Sequence, residues 1–119
     1  NLTEDEELHQ ILQVHEVPLS NNQGGNEWAM VGEPLNFGRV SFSFRISGDG
    51  NRLLCGVRGE FVRVYEYNQA EDAWKQIGQD ILPPADILPL IDDISPGAQF
   101  PNSLAISENG HQIVFSWAP

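Results

Sequence analysis

Residues 43–57 read SFRISGDGNRLLCGV, and residues 103–117 read SLAISENGHQIVFSW. Aligned without gaps, Ser43 meets Ser103, Ile46 meets Ile106, Ser47 meets Ser107 and Gly50 meets Gly110. Leu53 then meets Ile113, and Leu54 meets Val114. Each copy is an apolar run, a polar turn that contains glycine, and a second apolar run, the pattern of a strand-turn-strand unit. The offset is 60 residues, in the range where a fixed period signals repeat architecture. Such a unit points to a β-rich region in which repeated units stack, and repeat modules serve structure or recognition.

A second element also returns. Trp28-Ala-Met-Val31-Gly32-Glu-Pro-Leu35 and Trp74-Lys-Gln-Ile77-Gly78-Gln-Asp-Ile81 share the form W-x-x-[VI]-G-x-x-[LI]. Between the repeated elements the chain reads as a four-stranded meander. Strand a is expected near 40–47, with Phe42, Phe44 and Ile46 on one face and Ser41, Ser43 and Arg45 on the other. Ser47-Gly48-Asp49-Gly50-Asn51 supplies a turn in which glycine takes positive φ. Strand b follows near 52–57, where Leu53, Leu54, Cys55 and Val57 suit burial on both faces. Strand c near 61–67 (FVRVYEY) is rich in β-branched and aromatic residues, and strand d covers 73–78. Strands a′ (103–107) and b′ (112–117) end the pattern, so the strand order is d, then a-b-c-d, then a-b.

The flanking segments behave differently. Thr3-x-x-Glu6 fits a capping box. Leu8, Ile11, Leu12 and His15 recur at helical spacing, and Pro18 ends the run. This predicts one short N-terminal helix, joined by the polar Gly-rich linker 20–27. Residues 79–99 hold four prolines and four aspartates, which disfavours regular structure and predicts a long loop. The division expected is therefore 1–27 as helix and linker and 28–119 as the repeat region. Within the latter, 40–78 forms a complete unit, 79–99 the loop and 100–119 a partial unit.

Charge sets the class of partner. The formal net charge is −11, which argues against nucleic acid and anionic lipid, since both reward clustered Lys and Arg. All six basic residues lie between Arg39 and Lys75; the seven acids of residues 1–37 and the five of 76–119 have no base among them. The acidic ends suit either a solvated surface, a basic partner or the Arg-bearing middle. No apolar run approaches the length of a membrane span. Cys55 is the single cysteine, so no internal disulfide forms. The chain opens on Asn1-Leu2-Thr3, a sequon, rather than on Met. The expectation is a processed chain or a piece of a longer one, secreted or organellar after removal of a targeting segment.

With these residues in place, the chain resembles the FG-GAP-like, integrin-α-type β-propeller repeats found in large secreted microbial and algal proteins. Val62-Arg63-Val64-Tyr65 is similar to the family's strand-c motif, and Trp74 and Gly78 to its strand d. Ile46-Ser47-Gly48-Asp49-Gly50 and Ile106-Ser107-Glu108-Asn109-Gly110 are similar to its turn, and Trp117-Ala118-Pro119 stands where the family has G-A-P. The resemblance covers about residues 28–119. The chain departs from it where Val40-Ser41 and Phe100-Pro101 replace Phe-Gly, and where the family's D-x-D-x-D-G calcium loop is missing. The resemblance implies a propeller-like four-stranded blade with partial flanking blades.

Candidate chemistry is sparse. Gly48-x-Gly50 lacks the third glycine of a dinucleotide fingerprint and sits between strands. His9 and His15 fall on different sides of the expected helix, and His111 stands in a turn. Cys55 in an apolar strand reads as a core thiol. Asp80, Asp86, Asp92 and Asp93 are the residues available to gather around calcium, at a spacing that matches no known loop. Trp28, Trp74 and Trp117 read as core at repeated strand positions, with an exposed binding platform as the alternative. No catalytic, cofactor-binding or metal residue is expected. The function expected is a non-catalytic structural or protein-interaction module, whose partner is another protein or further repeats of the same one. An acidic accessory subunit of a larger complex, and a calcium- or carbohydrate-binding domain, are the alternatives.

Overall fold

In the computed structural model, residues 9–17, 27–38, 42–83 and 101–117 are described, and they are all-β, with no helix. Four strands form one antiparallel meander: β5 (Phe42–Ile46), β6 (Arg52–Val57), β7 (Phe61–Asn68) and β8 (Ala73–Ile81), in that spatial order. Strand β6 lies inside the sheet, and its bounds are those the sequence predicts. Its alternate residues face opposite sides, as the two-residue period of a strand requires. Leu53 and Cys55 enter one core, and Leu54 enters another. That is why β6 is apolar without a polar face: each side is covered by another sheet.

The first cover is built from β1 (Ile11–Leu12), β2 (His15–Glu16), β3 (Ala29–Met30) and β4 (Leu35–Asn36). Strand β1 pairs with β4 and β2 with β3, both antiparallel, so the segment is one interrupted hairpin. Leu12 joins Leu53, Cys55, Tyr65 and Trp74 in the core, with Val14, Val31, Leu35 and Phe37 packed around them. The second cover is the hairpin of β9 (Asn102–Ile106) and β10 (Ile113–Ser116). Leu104 packs there with Leu54 and Val62, flanked by Val64, Ile106, Ile113 and Phe115. Each fully buried aliphatic side chain contributes roughly 1.5–3 kcal/mol relative to exposure, so the two covers hold the central sheet from both sides.

One expectation is overturned. Ile11, Leu12 and His15 do not share a helical face; they lie on β1 and β2, while Thr3, Glu6 and Leu8 lie outside the described residues. The same stretch also carries a period of two, with Leu12 and Val14 packed on the core and Ile11, Gln13 and His15 exposed. A helix this short is marginal in isolation, and pairing with the distant β3 and β4 decides between the two patterns. A smaller difference concerns β8, which runs on to Ile81 rather than ending at 78. Most of the 79–99 loop lies outside the described residues.

The two hairpins bearing the Trp-Gly element share an irregularity. In the central sheet Val64 opposes Ile77 and Val62 opposes Ile81, so Arg63 alone faces Gly78, Gln79 and Asp80. In the first hairpin the Val31 N–H donates to the Val14 carbonyl (2.7 Å) and Leu12 opposes Leu35, so Gln13 alone faces Gly32, Glu33 and Pro34. Gly32 and Gly78 both take positive φ, 75° and 72°. Glycine adopts that conformation at the least cost, and this is how a strand absorbs extra residues.

Candidate interaction site

The repeated turn is built twice with one set of bonds. Ser47 N–H donates to the Arg52 carbonyl, and Gly50 N–H donates back to the Ser47 carbonyl (both 2.9 Å). Ser47 Oγ donates to Asp49 Oδ1 (2.7 Å) and accepts from Arg52 N–H (3.0 Å), and Asn51 N–H donates to Asp49 Oδ1 (3.0 Å). In the second turn Ser107, Asn109, Gly110, His111 and Gln112 repeat all five bonds in the same roles. The backbone bonds to Asp49 and the Ser47 hydroxyl hold its carboxyl below the usual carboxylate range.

The two turns touch. Asp49 N–H donates to the Glu108 carbonyl (2.9 Å), and Arg52 Nη1 donates to the Gly110 carbonyl (3.0 Å). Arg52 is aimed by Glu66, whose Oε2 accepts from both Nε and Nη2 (3.1 and 3.0 Å). A Cβ on Gly110 would stand 2.6 Å from Arg52 Cδ, so glycine is needed there for contact as well as for φ.

On the other side, Trp74 carries the contact. Its indole N–H donates to the Val31 carbonyl (2.8 Å), and its ring lies where a Cβ on Gly32 would be, 2.6 Å from Cδ1. Asp72 accepts from Gly32 N–H (3.0 Å) and the Tyr67 hydroxyl (2.6 Å). The Tyr67 hydroxyl bond keeps the Asp72 carboxyl below its ordinary value. Asp72 itself takes positive φ, 51°, a conformation short polar side chains tolerate.

Among the described residues, the candidates for chemistry do not converge. Cys55 is fully buried in the central strand, and burial pushes its thiol up to about 12. His9 Nδ1 lies 2.9 Å from Asn36 Nδ2, His15 Nε2 lies 3.2 Å from Gln13 Oε1, and His111 is exposed in the second turn. Asp80 accepts from Arg63 Nε and Nη2 (2.6 and 2.7 Å), which holds its carboxyl below the usual range; Asp86, Asp92 and Asp93 lie outside the described residues. Among the described residues no group of three potential ligands is placed to hold a metal ion. Trp74 is buried and Trp117 half-buried, but Trp28 is 68% exposed, against the core position the repeat predicts for it.

What the surface does present is apolar. Phe44 (50% exposed) and Ile46 (46%) stand on β5, an edge strand of the central sheet. Together with Leu12, Val14, His15 and Leu53 they line a cavity of about 400 Å³ beside β1 and β2. Val114 (67% exposed) stands on the outer face of β10. Sequence reasoning placed Phe44 and Ile46 on one face; that the face is uncovered follows from a neighbouring hairpin whose described strands stop short of it. Comparison with protein-family models, curated proteins and solved structures gives no match.

Proposed function

We propose that this chain is a non-catalytic interaction module built from propeller-type repeats, which acts by completing its unfinished sheets with a protein partner. The observation that supports this most is the succession of sheets. A hairpin, a four-stranded meander and a hairpin stack face to face, with the same turn built twice and the same one-against-three irregularity built twice. Propeller blades are four-stranded sheets stacked radially, with several needed for closure. On this reading the first hairpin supplies strands c and d of one blade, and the last supplies strands a and b of another. The FG-GAP-like resemblance fits the same succession and rests on the residues alone.

Exposed edges and apolar faces of this kind are the surfaces that strand addition uses. The test is made on the tagged protein purified from its native source with its bound partner. Phe44→Ser and Val114→Ser are expected to abolish the association. Amide exchange in β6 and β7 should stay unchanged, because both side chains are exposed. Association that survives both substitutions would show that the module does not work through these faces.

A further inference from the structure

The uncovered features of this chain have covered counterparts inside it. Leu54 on β6 is fully buried because Leu104 and Ile106 pack against it. By the 60-residue offset, Val114 is the counterpart of Leu54, while Phe44 and Ile46 are the counterparts of Leu104 and Ile106. All three counterparts are exposed. Trp74 sits on the Cβ-less face of Gly32 and donates to the Val31 carbonyl. Its counterpart Trp28 is exposed, and the corresponding face of Gly78 has nothing within 4 Å. Each half-contact that one end of the molecule offers is the half that the other end lacks.

Resting on the propeller-type reading, we propose that the partner is a second copy of this chain, bound head to tail. Hairpin β9–β10 of one copy lies beside β1–β2 of the next, so that two strands from each copy make one four-stranded sheet. The occupied cavity is the one bounded by Leu12, Val14, Phe44 and Ile46. The register follows from β6 on β7, where Leu53 opposes Tyr65, Leu54 opposes Val64 and Cys55 opposes Arg63. Transferred to the joint, Ile113 opposes His15 of the next copy, Val114 opposes Val14 and Phe115 opposes Gln13. Val114 then packs on Phe44 and Ile46 of the next copy, as Leu54 packs on Leu104 and Ile106. Trp28 of the next copy settles on Gly78 and donates to the Ile77 carbonyl.

A head-to-tail contact of this kind uses two different surfaces and closes into a ring when the rotation permits. The described strands of each copy make up about two four-stranded sheets, so closure at four to eight blades needs about two to four copies.

The test is the mass of the purified chain in solution, by sedimentation equilibrium from low to high micromolar concentration. The expected result is a discrete small multiple of the 13.2 kDa chain. Val114→Glu and Phe44→Glu, each on an exposed side chain, are expected to return the chain to its single-chain mass with an unchanged far-ultraviolet spectrum. Mixed together, the two variants retain one intact pair of surfaces and should form a two-chain species that grows no further. A single-chain mass at every concentration overturns the proposal, as does an oligomer that resists both substitutions or a mixture that fails to associate. If the purified chain is single while the native-source association depends on Phe44 and Val114, the interaction reading stands and the second copy is wrong.

Discussion

Glycine does two separable jobs in this chain, and substitutions separate them. Gly50 takes φ of 78° with open space around it, whereas Gly32 takes φ of 75° with the Trp74 ring 2.6 Å from where a Cβ would stand. Gly50→Ala should therefore cost only the left-handed backbone, about 1–2 kcal/mol. Gly32→Ala adds overpacking, typically about 1–3 kcal/mol more. Urea denaturation of both variants checks the order; equal losses would mean that Trp74 moves aside at no cost. Titration offers a second residue-level test. Asp80 is held below its ordinary range first by the Arg63 hydrogen bonds, and Asp49 and Asp72 are held low by their own donors. A carboxylate whose folded pKa is depressed contributes stability that is present above its unfolded value, about 3.9, and is lost as pH falls through the folded one. Urea midpoints should thus be flat above about pH 5 and fall below about pH 4. Asp80→Asn should lower the neutral plateau and flatten the acid limb, and curves that run parallel would remove Asp80 from the account.

At the scale of elements, identical sequence spacing leads to different burial. Trp28 and Trp74 open the same eight-residue pattern, each stands within one residue of the start of a strand, and each hairpin carries the same irregularity four residues on. Yet Trp74 is buried against the neighbouring hairpin and Trp28 is exposed, because among the described residues a hairpin lies against the first ring and none against the second. Trp74→Ala is expected to cost about 3–5 kcal/mol of single-chain stability, the range for a large buried aromatic. Trp28→Ala should change it by less than about 0.5 kcal/mol, as for a surface position. Denaturant titration at a concentration where the chain is single compares them directly. A large loss for Trp28→Ala would place that ring in a contact within the chain. The meander itself was legible in the sequence: β6 has the predicted bounds, and β5, β7, β9 and β10 deviate only at their ends. The N-terminal segment was not legible, because Leu12 and Val14 fit a strand while Leu8, Ile11, Leu12 and His15 fit a helix, and local pattern does not rank the two.

For the whole molecule, the charge balance now bears on assembly. Each chain carries −11, so copies that associate must overcome mutual repulsion that acts over the Debye length. That length is about 30 Å at 0.01 M salt and about 3 Å at 1 M. If copies join head to tail, the oligomer should tighten as salt rises, and sedimentation at the two extremes reads the shift. Weakening with salt would instead point to attraction between opposite charges across the joint.

The repeat, the all-β class, the two turns and the buried middle strand follow from the sequence alone. They rest on local information: a period of two, glycine where φ is positive, and a serine and an Asx side chain at fixed offsets in each turn. Tertiary structure alone decided that Ile11–Leu12 and His15–Glu16 form strands, that Trp28 is exposed while its counterpart is buried, and that Phe44, Ile46 and Val114 are uncovered. Those outcomes depend on which sheet lies against which. Burial belongs to the pair of surfaces and not to either strand, so two copies of one motif end differently when only one of them has a neighbour.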